Sequence, residues 1–351
     1  MEFELPPNFW PTIFRLSTGQ SWPPQNDDQA ERFIARVVPE GLLSLLLAAP
    51  SLPPAVEIAA RKLQALDRTN RLRTHVFEQS LRAVLDVLGG ERIIVLKGMD
   101  YAYRLYPAPH LRPRQDIDVL VQRERSASII AKLKEASFKQ HFIAGSVGRV
   151  AAYHEAVFEV GNATVEVHHS FVQRARNRVD YAEIWERAKV WSGFDERLLR
   201  LDDADGLVYH AINMSSDQFS SPIFRHLDIW LMLRDRLDIL PAAVSRARVW
   251  ATSRALYGAL RQTSRYFPDF QTPQVEAAMT ELLPARTRAF LDRRILIDPW
   301  LPRRRYGRAG QLWRKFWLID DTAHRASFAM YHAYALIAGK VLELREERAS
   351  L

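Results

Sequence analysis

Two short stretches constrain what this chain can fold into more than any other feature of its sequence. Residues 93–96 are apolar and are followed by a lysine and a glycine, which is typical of a buried strand that breaks into a turn. Residues 116–121 begin with alternating polar and apolar side chains. Because neighbouring side chains of a strand point to opposite faces, Asp116 and Asp118 are expected on the same face. The sequence therefore predicts two carboxylates directed to one point from a buried sheet.

Two carboxylates held close together raise each other's proton affinity unless a cation lies between them. Hard divalent cations such as Mg²⁺ prefer carboxylate oxygens as ligands. An Asp-x-Asp tripeptide is also common at the start of a strand, because aspartate favours turns. The tripeptide alone leaves a metal site and a capping role both open, and the surrounding residues decide between them.

The motifs around this tripeptide occur in a characteristic order. The chain has Leu-Lys-Gly from residue 96, Arg-Pro-x-x-Asp-Ile-Asp from residue 112 and Val-Glu-x-His from residue 165. This order resembles the polymerase-beta-like nucleotidyltransferase superfamily. It is more narrowly similar to the bacterial group called uncharacterised nucleotidyltransferase. The resemblance covers residues 75–235 and is clearest between residues 96 and 168.

The resemblance and the hydrophobic pattern imply an α+β fold. We expect a small mixed nucleotidyltransferase sheet with packed helices, flanked by N-terminal and C-terminal helical regions. The predicted segments are an N-terminal arm and helices (1–74), a nucleotidyltransferase core (75–195) and a C-terminal helical domain (196–351). Within the core, Gly161-Asn162 is a two-residue turn of the kind that joins antiparallel strands, and it predicts a hairpin.

The resemblance also implies roles for acidic residues. Three carboxylates on adjacent strands hold two Mg²⁺ ions in this superfamily, with Mn²⁺ as a possible substitute, and Asp116, Asp118 and Glu166 match these positions. Glu166 would bind the catalytic metal ion and orient or deprotonate the acceptor hydroxyl. The predicted hairpin supports this role by placing Glu166 on a strand that can lie beside Asp116. The alternative for Glu166 is an exposed strand glutamate.

Lys97, Gly98 and Arg112 are the predicted nucleotide-binding residues. A glycine at the start of a helix lets the backbone approach phosphate, and the helix N-terminus favours anions. Arginine suits phosphate geometry and lysine supplies a point charge. The alternative for each cation is a solvated surface position. The larger superfamily usually has Gly-Gly or Gly-Ser at this turn, so the Lys-Gly-Met sequence here leaves open which phosphate or nucleotide is held.

Three further residues are predicted to contact the acceptor or to support the site. His168 is expected on the Glu166 face, as a partner of the ligands or as an acceptor-binding group. Zinc is not favoured, because the sequence has no further histidines or cysteines at ligand spacing. His210 and Arg225, together with Asp228, match helices that follow the core in the resembled group. They are expected either to reach the cleft or to form a buried polar network between helices.

Several local expectations follow from the order of the chain. Residues 1–26 contain five prolines and no periodic pattern, which predicts an extended arm. A long helical stretch is expected over residues 53–88, where apolar residues recur at three- and four-residue spacing before two glycines. A short helix is expected over residues 99–106, entered at Gly98. The chain from residue 181 onward is predicted to be helical.

Composition limits the partners. The net charge of +8 and the pI of 9.7 favour anionic partners. The densest basic cluster lies within residues 303–315, and it is either a solvated surface or an RNA-binding patch. The chain has no cysteines, no signal-peptide pattern and no apolar run long enough for a membrane span, so we expect a cytoplasmic protein.

The predicted function is a metal-dependent transfer of a nucleoside monophosphate from a nucleoside triphosphate to a hydroxyl or phosphate group, with release of pyrophosphate. The acceptor is unknown: a small molecule, peptide or protein is favoured and RNA is possible. The alternatives are an RNA or tRNA 3′-end nucleotidyltransferase and a non-catalytic nucleotide-binding protein. The sequence does not specify the base of the donor or the oligomeric state.

Overall fold

A seven-stranded mixed sheet forms the centre of the protein. The computed structural model describes residues 4–141, 155–172, 176–191, 194–296, 307–330 and 332–334. In spatial order the strands are β3-β4-β5-β2-β1-β7-β6. Their bounds are β1 Ile93–Val95, β2 Asp116–Leu120, β3 Lys139–His141, β4 Glu155–Val160, β5 Ala163–His168, β6 Lys189–Val190 and β7 Leu198–Arg200.

Helices precede, interrupt and follow this sheet. Those before and within it are α1 Phe9–Thr18, α2 Asp27–Val37, α3 Leu43–Leu47, α4 Pro54–Arg61, α5 Gln64–Leu88, α6 Lys97–Arg104, α7 Arg123–Glu135 and α8 Tyr181–Arg187. Those after it are α9 Asp203–Ser216, α10 Ile223–Leu233, α11 Leu240–Val249, α12 Ser253–Tyr266, α13 Pro273–Leu282, α14 Ala285–Arg294 and α15 Arg308–Trp317. This arrangement confirms the predicted α+β class with flanking helical regions. No helix within the described residues is long and apolar enough to cross a membrane.

The strand pairing brings the two predicted motifs together. Strand β2 lies between β1, with which it is antiparallel, and β5, with which it is parallel. Strands β4 and β5 form the predicted hairpin, which turns at Gly161. Gly161 has φ 60°, a left-handed conformation that glycine adopts without steric cost. The second strand of the hairpin, β5, therefore pairs with β2, as the sequence predicted.

The two faces of the sheet are covered by different helices. Ile117, Val119 and Val165 contribute to one hydrophobic core, which also contains apolar residues of α5 and α7. On the opposite face, Ile94 and Leu120 belong to a larger core that includes α9 and the helices after it. Period-two alternation along β2 thus separates an apolar face from the face that carries Asp116 and Asp118.

The N-terminal segment differs from the predicted arm, because Phe9–Thr18 is a helix. Phe9, Ile13 and Phe14 lie on one side of it and are buried in the larger core. Pro11 lies in the first turn, where a helix tolerates proline because the backbone N–H there has no intrahelical acceptor. The helical stretch expected over residues 53–88 is two helices, α4 and α5, with a break at residues 62–63.

The N-terminal helices reach the C-terminal half of the chain at Gly41. This residue has φ 72°, and a Cβ atom there would lie 2.5 Å from the Phe224 ring and 2.7 Å from Pro113. The neighbouring Glu40 accepts a hydrogen bond of 2.8 Å from the backbone N–H of Ile223, at the start of α10. The larger core accordingly contains residues from all three predicted segments, and the boundaries at residues 74 and 195 remain predictions.

Candidate active site

The predicted acidic residues lie on the same face of two adjacent strands. In the parallel pairing of β2 and β5, Asp118 is opposite Glu166, and Asp116 is opposite Thr164. Asp118 is fully buried, whereas Asp116 and Glu166 are partly exposed. The sheet register therefore brings together the three carboxylates that the sequence singled out.

Lysine supplies one positive charge to this group. Lys97 is the first residue of α6, and its Nζ atom lies 3.4 Å from Oδ2 of Asp118. Asp118 Oδ2 is buried and accepts no hydrogen bond from the described part of the chain. A buried carboxylate oxygen with no hydrogen bond is costly, so this atom is suited to binding a cation.

His168 lies among the carboxylates. Its Nε2 atom is 3.1 Å from Oδ1 of Asp118 and 3.3 Å from Oε2 of Glu166. Its Nδ1 atom is 3.3 Å from Oε2 of Glu155, which lies opposite His168 on β4. Burial lowers the pKa of His168, but the hydrogen bonds to Asp118 and Glu166 outweigh this effect and raise it to about 9. His168 thus links both predicted ligands to a third strand.

The carboxylates do not ionise equally. Burial, reinforced by the negative charges of Asp118 and Glu166, raises the pKa of Asp116 to about 6. For Asp118, burial also opposes ionisation, but Lys97 and His168 hold its pKa below the usual value. Negative charge is therefore only partly compensated here, which is the condition under which a divalent cation binds.

The donor atoms fit a divalent cation. Asp118, Glu166 and His168 each offer one ligand atom, and these atoms lie within 4.8 Å of one another. Two are carboxylate oxygens, which suit Mg²⁺ or Mn²⁺. The third is an imidazole nitrogen, which can bind a metal only after it loses the proton that the raised pKa of His168 retains. Asp116, two residues before Asp118 on the same face, provides a further carboxylate.

A cleft of about 260 Å³ opens beside Asp116. Its lining is strongly basic, and Asp116 is its one acidic member. The lining residues are Arg73, Lys97, Gly98, Arg112, Pro113, Arg114, Gln115, Asp116, Pro222, Phe224 and Arg225. The cleft therefore contains four of the predicted binding residues, Lys97, Gly98, Arg112 and Arg225, next to a predicted metal ligand.

Gly98 is a helical residue, because α6 starts at Lys97 and not after the glycine as expected. A Cβ atom at this position would meet its nearest neighbour, the backbone oxygen of Asp116, at an ordinary contact distance of 3.7 Å. The fold itself therefore has no steric need for glycine here. The absence of a side chain leaves the first turn of α6 open to the cleft.

Arg112 already has a carboxylate partner. Its Nε and Nη2 atoms donate to Asp228, with distances of 2.9 Å to Oδ1 and 2.7 Å to Oδ2. Its Nη1 atom lies 3.3 Å from the carbonyl oxygen of Gly98, and the residue is buried. Tyr106 also donates to Asp228. Arg112 thus anchors the first turn of α6 to α10, and its predicted role in binding phosphate remains a prediction.

His210 and Arg225 occupy different environments. His210 is fully buried, with Nε2 2.9 Å from the carbonyl oxygen of Arg225 and 3.7 Å from Oδ2 of Asp228. His210 does not line the cleft. It lies in a buried polar network between helices, which was one of the two roles expected from the sequence. Arg225 lines the cleft, and its Nη1 atom donates to Asp217 at 2.7 Å.

Several residues near the site were not selected from the sequence. Glu155 contacts His168, and the register of the predicted hairpin was the signal that could have identified it. Tyr209 is buried near the carboxylates: burial, with smaller effects of Asp118 and Asp116, raises its pKa well above the usual value. Arg73 and Arg114 line the cleft, although no local pattern distinguishes them from solvated arginines.

The C-terminal basic cluster does not form one exposed patch in the described residues. Arg314 is buried, and its Nη2 atom donates to the carbonyl oxygens of Gln218 and Ile295. Burial lowers the pKa of the Lys315 ammonium. Residues 303–305 lie outside the described residues. RNA binding by this cluster remains a prediction.

A family model described as "Uncharacterised nucleotidyltransferase" matches residues 26–268. This range is well over half of the chain, and it includes the N-terminal helices from α2 onward, the sheet and the helices up to α12. No curated protein and no solved structure matches the chain.

Proposed function

Because the chain belongs to the uncharacterised nucleotidyltransferase family, we propose that it transfers a nucleoside monophosphate from a nucleoside triphosphate to a hydroxyl or phosphate group of an acceptor. Pyrophosphate is the leaving group. The observation that carries this proposal is the convergence of Asp116, Asp118 and Glu166 on one face of β2 and β5. The basic cleft beside these carboxylates supports it, because a triphosphate needs positive charge around it.

The carboxylates would hold two divalent cations, Mg²⁺ or Mn²⁺. Asp116 and Asp118 would contact both ions, and Glu166 would contact the one nearer the acceptor. When bound, such a pair of ions neutralises the attacking and leaving oxygens of an in-line displacement. The acceptor oxygen bonds to the α-phosphorus, the bond from that phosphorus to the bridging oxygen breaks, and pyrophosphate leaves with the bonding electrons. Glu166 orients the acceptor hydroxyl or accepts its proton.

The first turn of α6 would hold the phosphates of the donor. Backbone N–H groups at a helix N-terminus favour anions, and Gly98 leaves this turn accessible. Lys97 adds a positive charge between Asp118 and the cleft. Arg112 contributes indirectly, because it fixes the Gly98 carbonyl group and thereby the position of the turn.

His168 would position the ligands. It contacts Asp118 and Glu166 through the same Nε2 atom, and Glu155 contacts its Nδ1 atom. In metal sites, a carboxylate that contacts the second ring nitrogen of a histidine commonly fixes the orientation of the ring. His168 contacts Oδ1 of Asp118 and Oε2 of Glu166, so Oδ2 of Asp118, which Lys97 approaches, and Oε1 of Glu166 are not held by the histidine.

The acceptor is a small molecule, peptide or protein in the form of the proposal that we favour. An RNA acceptor is the second candidate, and the pI of 9.7 favours it. The described part of the basic cluster within residues 303–315 does not strengthen the RNA candidate, because Arg314 is buried. RNA binding through phosphates would weaken steeply with salt, whereas binding of a small neutral acceptor would not.

The test is incubation of purified protein with each of four α-labelled nucleoside triphosphates, Mg²⁺ or Mn²⁺, and separate RNA, protein and small-molecule fractions of a bacterial extract. Asp116→Ala and Asp118→Ala are the inactive variants. Glu159→Gln is the matched control, because Glu159 is an exposed strand carboxylate paired with His141 on the outer part of the sheet.

We expect label to enter one fraction with the wild type and with Glu159→Gln, and not with the two aspartate variants. The labelled fraction names the acceptor class. Absence of label from every fraction, in a protein that binds nucleotide independently of metal and of both aspartates, would contradict the proposal and favour the non-catalytic alternative.

A further inference from the structure

The cations of the cleft differ in whether a carboxylate neutralises them. Three of the five have an acidic partner: Lys97 has Asp118, Arg112 has Asp228 and Arg225 has Asp217. The other two, Arg73 and Arg114, form no ion pair with any carboxylate in the described residues. The cleft therefore has a paired set of cations and an unpaired set.

Arg114 is an unusual residue to leave unpaired, because only 7% of its surface is exposed. Its Nη1 atom donates to the carbonyl oxygen of Pro109 at 2.9 Å. Its Nε and Nη2 atoms have no acceptor among the described residues. The guanidinium group lies over the rings of Phe77 and Tyr103, with its Cζ atom 5.5 Å and 5.8 Å from their centroids. A buried charge held by one neutral hydrogen bond favours an anion nearby.

Arg73 places a second charge on the same side of the cleft. It lies on α5 four residues before Phe77, so the two side chains share one face of that helix. Phe77 is the residue over which Arg114 lies. Arg73 is exposed, which leaves its guanidinium group accessible to a ligand.

We propose that Arg73 and Arg114 form an anion subsite for the terminal phosphates of the nucleotide donor, the part that leaves as pyrophosphate. This inference rests on the proposed function. The subsite adjoins the first turn of α6, because a Cβ atom at Gly98 would lie 3.9 Å from Cβ of Arg114. Both arginines line the same cleft as Lys97 and Gly98, the first two residues of that turn.

The position of the two arginines relative to the carboxylates is the reason for assigning the subsite to the donor. In an in-line displacement the acceptor and the leaving group lie on opposite sides of the α-phosphorus. Glu166, the predicted contact of the acceptor, does not line the basic cleft, whereas Asp116 does. The arginines thus share the cleft with Asp116 and not with Glu166, which favours the leaving-group side for them.

A phosphomonoester on the acceptor has the same recognition chemistry, and the test separates the two sources. Binding of pyrophosphate, a nucleoside triphosphate, the matching nucleoside monophosphate and glycerol 3-phosphate is measured by calorimetry, with Ca²⁺ present for the nucleotides. The variants are Arg73→Gln, Arg114→Gln and Arg114→Lys. Arg248→Gln is the matched control, because Arg248 is exposed and pairs with Glu281 outside the cleft.

We expect Arg73→Gln and Arg114→Gln each to weaken binding of pyrophosphate and of the triphosphate about tenfold, with the monophosphate changed less than about twofold. Arg114→Lys keeps the charge and restores part of the affinity. Unchanged pyrophosphate and triphosphate binding in Arg73→Gln, which is an exposed substitution, would overturn the subsite. Loss confined to glycerol 3-phosphate would overturn the assignment to the donor.

Failure of this inference is distinguishable from failure of the transfer reaction. Pyrophosphate binding requires no acceptor and no turnover. Suppose that pyrophosphate binding weakens in both arginine variants, while the wild type labels no acceptor and binds nucleotide independently of metal and of Asp116 and Asp118. This result keeps the subsite and contradicts the transfer. If the wild type labels an acceptor and Arg73→Gln has the same KM for the triphosphate as the wild type, the transfer is kept and the subsite is contradicted.

Discussion

Among the residues that the structure describes, two groups of three acidic residues differ in how they are neutralised. One is the candidate metal group, Asp116, Asp118 and Glu166, on strands β2 and β5. The other is formed by Asp202, Asp203 and Asp205 around the start of helix α9. Both are compact, and each contains a fully buried aspartate.

The aspartates at the start of α9 have basic partners in excess. Asp205 pairs with Arg187 at 3.0 Å and with Arg246 at 3.2 Å. Asp203 pairs with Arg200 at 2.8 Å, and Asp202 pairs with Lys189 at 3.1 Å. Arg104 and Arg236 also contact this group. The group is a closed ion-pair network that ties α9 to its neighbours.

The acids on β2 and β5 have few basic partners. Lys97 contacts Asp118, and His168 contacts Asp118 and Glu166. No lysine or arginine of the described residues lies within ion-pair distance of Asp116 or Glu166. The comparison teaches that the closeness of the carboxylates does not distinguish the two groups, whereas the supply of positive charge around them does.

The largest expected difference between the groups is in catalysis. Asp116→Asn should reduce nucleotidyl transfer roughly a thousandfold, because it removes a metal ligand. Its free energy of unfolding in EDTA should be unchanged or higher, because one of three neighbouring negative charges is lost. Initial rates and urea unfolding measure both. A variant that unfolds instead would show that Asp116 is structural.

The reverse result is expected for the second group. Asp205→Asn should lower the free energy of unfolding by about 2–4 kcal/mol, because Arg187 and Arg246 lose a buried partner. The folded fraction should transfer nucleotide at the wild-type rate. Urea denaturation checks the first expectation, and activity per folded molecule checks the second. Equal loss of rate and stability would mean that the two groups are coupled.

Metal ions should stabilise the protein through one group only. At a hundredfold excess over Kd, Mg²⁺ or Mn²⁺ should raise the free energy of unfolding of the wild type by about 2.7 kcal/mol. The gain should persist in Asp202→Asn and disappear in an Asp116→Asn, Asp118→Asn double variant. Thermal unfolding with and without EDTA provides the measurement. Retention of the gain in the double variant would place the metal elsewhere.

The smallest expected effect is on how the free energy of unfolding depends on pH in acid. Burial opposes ionisation of Asp202, but its hydrogen bonds to Arg246 and Lys189 lower its pKa below the usual value. A lowered pKa in the folded state contributes stability that is complete above the unfolded pKa of about 4 and is lost as the pH falls below it. Asp202→Asn should therefore show a smaller loss of stability between pH 5 and 3 than the wild type. Identical slopes in urea titrations would contradict this.

Local pattern was sufficient for much of the fold. Alternation along β2 and the turn at Gly161 predicted elements that the structure contains, because each depends on neighbouring residues. Prolines misled the prediction for residues 1–26. Helix α1 exists because Phe9, Ile13 and Phe14 bury against distant parts of the chain, and proline content does not report that contact.

The sequence by itself determined which acids share a face and which strand carries Glu166, because strand periodicity and a two-residue turn are local properties. Only the tertiary structure decided which charged side chains are neutralised. Arg112 meets Asp228 across more than a hundred residues of sequence, and Arg114 meets no carboxylate within the described residues. Partner choice among charges depends on distances between elements far apart in the chain, and local pattern contains no record of these distances.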